Sequence, residues 1–342
     1  MKKLFRNSIL FAAPFVLFTL LEILVLPIDT FTFRAWEAVA NSSRYLPGPF
    51  LPNLHIVKNN EGGDGRMPDG PIKRVEWFTD GFGYRNRPRS IDRFDVVVVG
   101  DSNIAGSFLD QRNTFPETLE RSCQCTVYNH AYNGPGDFER YLRQSRFVKS
   151  PPKLVLFEFR HHDVYDWKTR FQPIPDLPAN EGDISSMSPW DVEWEIIYSQ
   201  YRKQLAYNWA RARLKLAIVR VPHARSSQEA TKLPDEPTAH DLEEVAKIFT
   251  GYKNRIEARG SRFAVLMITT EFDLADKIRP VLERSGVDFL TFPRVPDANV
   301  SYYHRGDSHW REDGVVAATA VVAAYIRDKN VVKPGEKSRP AE

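Results

Sequence analysis

Apolar runs of strand length, each followed by a stretch with helical spacing, constrain this chain more than anything else in it. The run "DVVVVG", Asp95 to Gly100, is continuous rather than alternating, as expected for a parallel strand buried on both faces. "TFPETLERS" follows as a helix, with Thr114 as candidate N-cap, Pro116 in the first turn and Glu117 three residues after Thr114. "TVYNHA" reads as a second strand, "DFERYLRQSRFVKS" as helix and "KLVLFEF", Lys153 to Phe159, as a third strand. After an interruption the pattern resumes. "DLEEVAKIFTGYKNRIEARG" is a helix closed by Gly260, "RFAVLMITT" a strand, "DLADKIRPVLERSG" a helix and "VDFLTFP" a strand. "REDGVVAATAVVAAYIRD" is a last helix with acids in its first turn. Such alternation predicts a parallel sheet covered by helices on both faces.

The flanks differ in character. Met1 to Arg6 is basic, and "ILFAAPFVLFTLLEILVLP", Ile9 to Pro27, is apolar and of near-spanning length, with Glu22 its one charge. Leu26-Pro27-Ile28-Asp29 makes a poor cleavage site, so residues 1–30 are expected to be an uncleaved signal anchor, with a cleaved signal peptide and a soluble N-terminal helix as the alternatives. The basic cluster before the span predicts a cytoplasmic N-terminus and an exported body. Residues 31–92 are rich in Pro, Gly, Asn and Asp and are expected to be an irregular lead-in. Residues 170–235, about the middle of the chain, interrupt the alternation with a Pro-rich loop and a long helical stretch, an insertion. Its aromatics suit packing against the core, with a substrate-facing surface or a lipid-surface contact as the alternative. Residues 331–342 are a charged tail.

Composition excludes some classes. With 27% charged residues the chain is globular rather than disordered, and a net charge of +3, with both signs interspersed, gives no basic stripe for nucleic acid. Two cysteines, Cys123 and Cys125, are too few for a zinc site; a bridge across one residue is unusual, so structural thiols are expected.

In parallel sheets ligands sit at the carboxyl ends of the strands. Four polar clusters fall there: Asp101-Ser102, "NHAYNGPG" (Asn129 to Gly136), "RHHDVYD" (Arg160 to Asp166) and "YYHRGDSHW" (Tyr302 to Trp310). Ser102 is expected where strand turns into helix, beside free N–H groups. In an extended segment Asp307 and His309 point to one side, so the carboxylate can orient the imidazole and leave its other nitrogen for the Ser102 proton. The N–H groups of Ser102 and Gly134 suit a developing oxyanion. Taken singly, Ser102 also suits an ordinary loop, Asp307 an N-cap, and His161 with His162 a packed pair. No metal ligands stand at useful spacing, and no cofactor motif is present.

At these residues the chain resembles the SGNH (GDSL-type) hydrolase superfamily, over roughly Phe94 to Asp328. "VVVVGDSNIAG" looks like the block with the nucleophile, Ser102, and "NHAYNGPG" like the block with the oxyanion glycine, Gly134. "EFRHHDV" aligns with the third block, Gly-x-Asn-Asp, with His162 at the Asn position and Asp163 after it. "DSHW" looks like the last block, spaced Asp-x-His rather than Asp-x-x-His. Its Asp-x-His-Trp form is similar to exported alginate O-acetylation proteins, although their Asp-His element precedes the serine. "TDGFGYRN" looks like the Gly-Phe-Arg element before GDS in anchored bacterial members.

The resemblance implies a three-layer, flavodoxin-like parallel sheet over residues 93–330, carrying the helical insertion behind the anchor. It implies Ser102, Asp307 and His309 as catalytic residues, Ser102, Gly134 and His162 as oxyanion hole, and Asp163 and Trp310 as substrate contacts. The expected activity is that of an esterase or O-acetyltransferase on acyl esters of a cell-surface or exopolysaccharide glycan, on the outer side of the cell membrane. Partners would be that substrate, the membrane and other envelope or polysaccharide-assembly proteins. A lipase or thioesterase on lipid esters, and a degenerate glycan-binding subunit, are the alternatives.

Overall fold

The computed structural model describes residues 11–14, 16, 17, 20, 48–61, 73–91, 93–131, 134, 136–171, 188, 190, 191, 194, 236–269, 271–295, 302–304 and 309–332. Five of its strands are parallel: β3 (Val96–Gly100), β4 (Val127–Ala131), β5 (Leu154–Arg160), β6 (Arg262–Ile268) and β7 (Asp288–Thr291). Their order is β4-β3-β5-β6-β7, the 2-1-3-4-5 order of flavodoxin-like sheets.

The valine strand shows why its run is unbroken. Val97 and Val99 enter one core, with Phe157 and Phe249, while Val96 and Val98 enter the other, with Leu156 and Val322. Alternate side chains thus feed opposite faces, and both faces are dry. Helices cover them: α1 (Phe115–Cys123) and α8 (Glu312–Asp328) on one side, α2 (Gly136–Arg143), α6 (Ala239–Glu257) and α7 (Phe272–Arg284) on the other. Short helices α3 (Ser145–Lys149), α4 (His161–Tyr165) and α5 (Trp167–Arg170) fill the connections. The strand ends in glycine for steric reasons. A Cβ on Gly100 would lie 2.5 Å from Glu158 Oε2 and 2.7 Å from Ile104 Cγ1.

Three expectations are corrected. The lead-in is not wholly irregular: β1 (His55–Glu61) and β2 (Lys73–Phe78) pair antiparallel. Within β2 only Val75 and Trp77 face inward, where they pack with Phe50 and Ala105. The polar residues of "HIVKNNE" hide the partner strand from any apolar pattern. Cys123 and Cys125 are joined as a disulfide rather than free. Gln124 between them is left-handed (φ 53°) and brings the two Cα atoms to 5.2 Å, within bridging range. No helix begins at Ser102. Residues 101–109 form consecutive turns with Gly106 and Phe108 at positive φ, and helix starts only beyond them, at Gln111–Asn113 and then α1.

Among the described residues no helix is long and apolar enough to cross a membrane. Most of the expected anchor, most of the 170–235 insertion and the end of the tail lie outside the described residues.

One buried group sets an acid limit on stability. His130, on β4, is fully buried and stacked on Tyr84 at 4.2 Å, with Tyr128, Tyr141 and Phe147 around it. Burial holds its imidazole well below 6.5, and the charges of Arg146 and Arg140 push the same way. The folded chain therefore keeps it neutral while the unfolded chain binds a proton below about 6.5, so stability is lost as pH falls below that value. Burial raises Glu158 and Asp163 above the usual carboxyl range, which runs the opposite way, so only a difference isolates His130. Thermal midpoints between pH 7.5 and 5 should fall more steeply for wild type than for His130→Phe. Parallel curves would exclude His130 as the cause.

Candidate active site

The sheet order reverses between β3 and β5, and the loops after these strands bound the crevice where ligands of such sheets bind. Ser102 follows β3 with only Asp101 between them. Its Oγ lies 2.8 Å from His309 Nε2, across 207 positions of sequence. At that distance an imidazole can accept the hydroxyl proton. Asp307 lies outside the described residues, as do its neighbours 305–308.

Each member is held by its surroundings. On the His309 side the chain closes on itself: His304 N–H donates to His309 O at 3.0 Å, Arg311 N–H donates to Tyr302 O at 2.7 Å, and Tyr303 bridges Trp310. Phe108 meets the His309 ring edge-on, with centroids 5.2 Å apart. On the Ser102 side, Asp101 turns away from the hydroxyl. Its Oδ1 accepts the Asn103 N–H at 2.6 Å and its Oδ2 faces Arg160 Nη1 at 3.6 Å. The Asp101 N–H donates to Glu158 Oε2 at 2.8 Å. Burial pushes the Glu158 carboxyl well above its usual range, and the neighbouring Asp101 charge adds to the shift.

Asn103 ties the two sides together. Its Oδ1 accepts the Trp310 N–H at 2.9 Å, and its backbone carbonyl accepts the Trp310 Nε1–H at 2.8 Å. The residue after the serine is therefore locked to the residue after the histidine. Sequence reading missed Asn103, because a polar side chain in a turn gives no sign of a partner 207 positions away. Asn103→Ala leaves the buried Trp310 N–H unpaired, which typically costs about 1–3 kcal/mol. The denaturant midpoint should drop accordingly at unchanged slope; an unchanged midpoint would show that another acceptor takes over.

Other expected site residues lie elsewhere than the resemblance implies. Trp310 is fully buried against Phe115 and Phe292, so it is no substrate contact. Asp163 is also buried, because its Oδ2 caps α4 by accepting the Arg160 N–H at 2.8 Å. Burial raises its carboxyl to about 6. The Gly134 N–H donates to Gly100 O at 3.0 Å and is not free for an oxyanion. The close approach expected of this glycine is real, but its target is the backbone of the strand end.

His162 is the second residue of α4, with its side chain 36% exposed. Burial lowers its imidazole to about 3, and the charges of Arg160, His161 and Arg170 add to this. It is therefore neutral near pH 7 and carries one N–H to donate. Asp163 Oδ1, 3.6 Å from His162 Nε2, is too distant to hydrogen-bond it. The Ser102 N–H meets no acceptor among the described residues. No cluster of His, Cys, Asp and Glu suited to a metal occurs among the described residues. No protein-family model matches the chain, and no curated protein matches it.

Proposed function

We propose that the chain is an SGNH-type serine hydrolase or O-acyltransferase acting on acyl, above all acetyl, esters of an extracytoplasmic glycan. The hydrogen bond of Ser102 Oγ to His309 Nε2 at the switch point carries this reading. Ser102 Oγ attacks the ester carbonyl carbon while its proton passes to His309 Nε2. The C–O bond of the ester breaks, and the departing sugar hydroxyl takes that proton. The acyl group stays on Ser102 until water, or a second sugar hydroxyl, attacks its carbonyl carbon and gives a proton to His309 Nε2; the bond from that carbon to Ser102 Oγ then breaks, and His309 returns the proton to Oγ. Asp307 orients the ring in this scheme, and the Ser102 N–H with the His162 N–H supports the developing oxyanion. The test is incubation of the purified protein with p-nitrophenyl acetate, with and without an oligosaccharide acceptor, followed by mass spectrometry. Release of nitrophenol and a +42 Da acetyl adduct, about the mass of one acetyl, on Ser102 is expected from this acyl-enzyme route. Neither event above buffer would end the enzyme reading.

The Gly134 N–H engaged by Gly100 favours one competing reading, a degenerate subunit that binds glycan without cleaving it. The same assay separates the two, since a degenerate site acquires no acetyl group.

Export is the second half of the proposal. The basic start and the apolar run of residues 9–27 support it, and so does the disulfide, which persists in oxidising compartments. A reporter fused after Asp328 should be active only outside the cytoplasm. Activity inside would remove the localisation and with it the surface-glycan substrate.

A further inference from the structure

The segment 79–86 lies outside the parallel sheet yet sends one side chain into the loop that bears Ser102. Arg85 is 1% exposed. Its Nη1 donates to Ala105 O at 3.2 Å and also to Gly106 O, its Nη2 donates to Leu109 O at 2.7 Å and Glu76 O at 3.1 Å, and its Nε donates to Gln111 Oε1 at 3.1 Å. The guanidinium carbon lies 3.6 Å over the Trp77 ring of β2. A buried charge is tolerated only when it is fully hydrogen-bonded, and here three of the acceptors are carbonyls of the nucleophile loop. A helix after Ser102 would have used those carbonyls internally. The loop is irregular: Gly106 O still accepts the Leu109 N–H at 3.1 Å, and Arg85 supplies the donor to Ala105 O and Leu109 O.

We propose that Arg85 is a positioning residue that fixes the Ser102 hydroxyl by fastening the β1–β2 hairpin to the loop 101–109. The proposal rests on the hydrolase reading of Ser102. The path from Arg85 to the serine is short. Gly106, whose carbonyl Arg85 holds, donates its own N–H to Ser102 O at 3.1 Å, and Ser107 N–H donates to the same oxygen at 3.0 Å. Gly106 itself is shaped around the clamp. Its φ is +83°, and a Cβ there would meet Arg85 Nη1 at 2.8 Å. Lysine cannot replace the guanidinium, since it offers a point charge with three donors and no planar fork.

The test uses full-length Arg85→Lys. Amide hydrogen exchange across 102–109 should quicken at least about tenfold, and kcat on p-nitrophenyl acetate should fall about 10–100-fold with KM little changed, as expected for a misplaced nucleophile. A merely structural arginine would instead lower the thermal midpoint while the folded fraction kept its kcat and its exchange pattern. That result overturns the proposal. If Arg85→Lys does not fold, Gln111→Ala removes the acceptor of Nε while leaving the guanidinium in place. It should move exchange and kcat the same way by less, and native values in both overturn the proposal. If wild-type Ser102 is inert towards the ester and towards a fluorophosphonate, the hydrolase reading has failed. The exchange arm then decides alone whether Arg85 holds the loop.

Discussion

Ser102→Ala and His309→Ala should each abolish nearly all ester cleavage, by similar factors, and the double variant should lose little more. Groups that act as one unit behave this way, with losses on the order of 10⁴–10⁶ in kcat for a serine–histidine pair. The reason lies in the 2.8 Å contact between Oγ and Nε2. Without the ring, the hydroxyl has no proton acceptor at hydrogen-bond distance among the described residues, because the Asp101 carboxylate is turned to the Asn103 N–H and Arg160. Without the hydroxyl, the ring has no nucleophile to activate. Both variants should fold, since Ser102 and His309 are half-buried and the neighbouring Asn103–Trp310 bonds are left intact. Kinetics on a chromogenic acetate, with circular dichroism as control, reads the comparison. Losses that add on a logarithmic scale would mean that the two residues work separately.

His162→Ala should lower turnover by about 10²–10³, the usual effect of losing one oxyanion donor. The Gly134 N–H is occupied by Gly100 O, so the proposed mechanism assigns the oxyanion to the Ser102 N–H and the neutral His162. His162→Asn should retain much of the activity, because an amide also offers an N–H donor. The loss should appear in kcat rather than KM, as an oxyanion exists only during the reaction. Near-wild-type turnover in both variants would make His162 structural.

The sheet was legible because strands buried on both faces are written as unbroken apolar runs, and Val96 to Val99 is such a run. The β1–β2 pair was not, because a two-stranded ribbon with one inward face needs few apolar residues, here Val75 and Trp77. The Cys123–Cys125 bridge depends on a left-handed residue between the cysteines, which spacing alone does not reveal. Ser102 and His309 stood out as polar residues following strands. Their supports did not. A glycine such as Gly134 announces close approach but not which acceptor its N–H will meet, and the "TDGFGYRN" element holds Arg85 without revealing the loop carbonyls that its guanidinium meets. Glu158 left a signal that went unread, an acid inside the apolar strand "LVLFEF".

The lock between Asn103 and Trp310 also sets an order of events as the molecule folds. It joins points 207 residues apart, and contacts of such separation close late. The valine strand, its helix α1 and the neighbouring strand β4 are all made from the first 131 residues. A chain that has emerged only that far carries the serine but neither the imidazole nor the indole that holds it. The serine–imidazole pair is therefore assembled only once the chain has been made through Trp310, and the hydrolase proposed above would stay silent in every half-made copy.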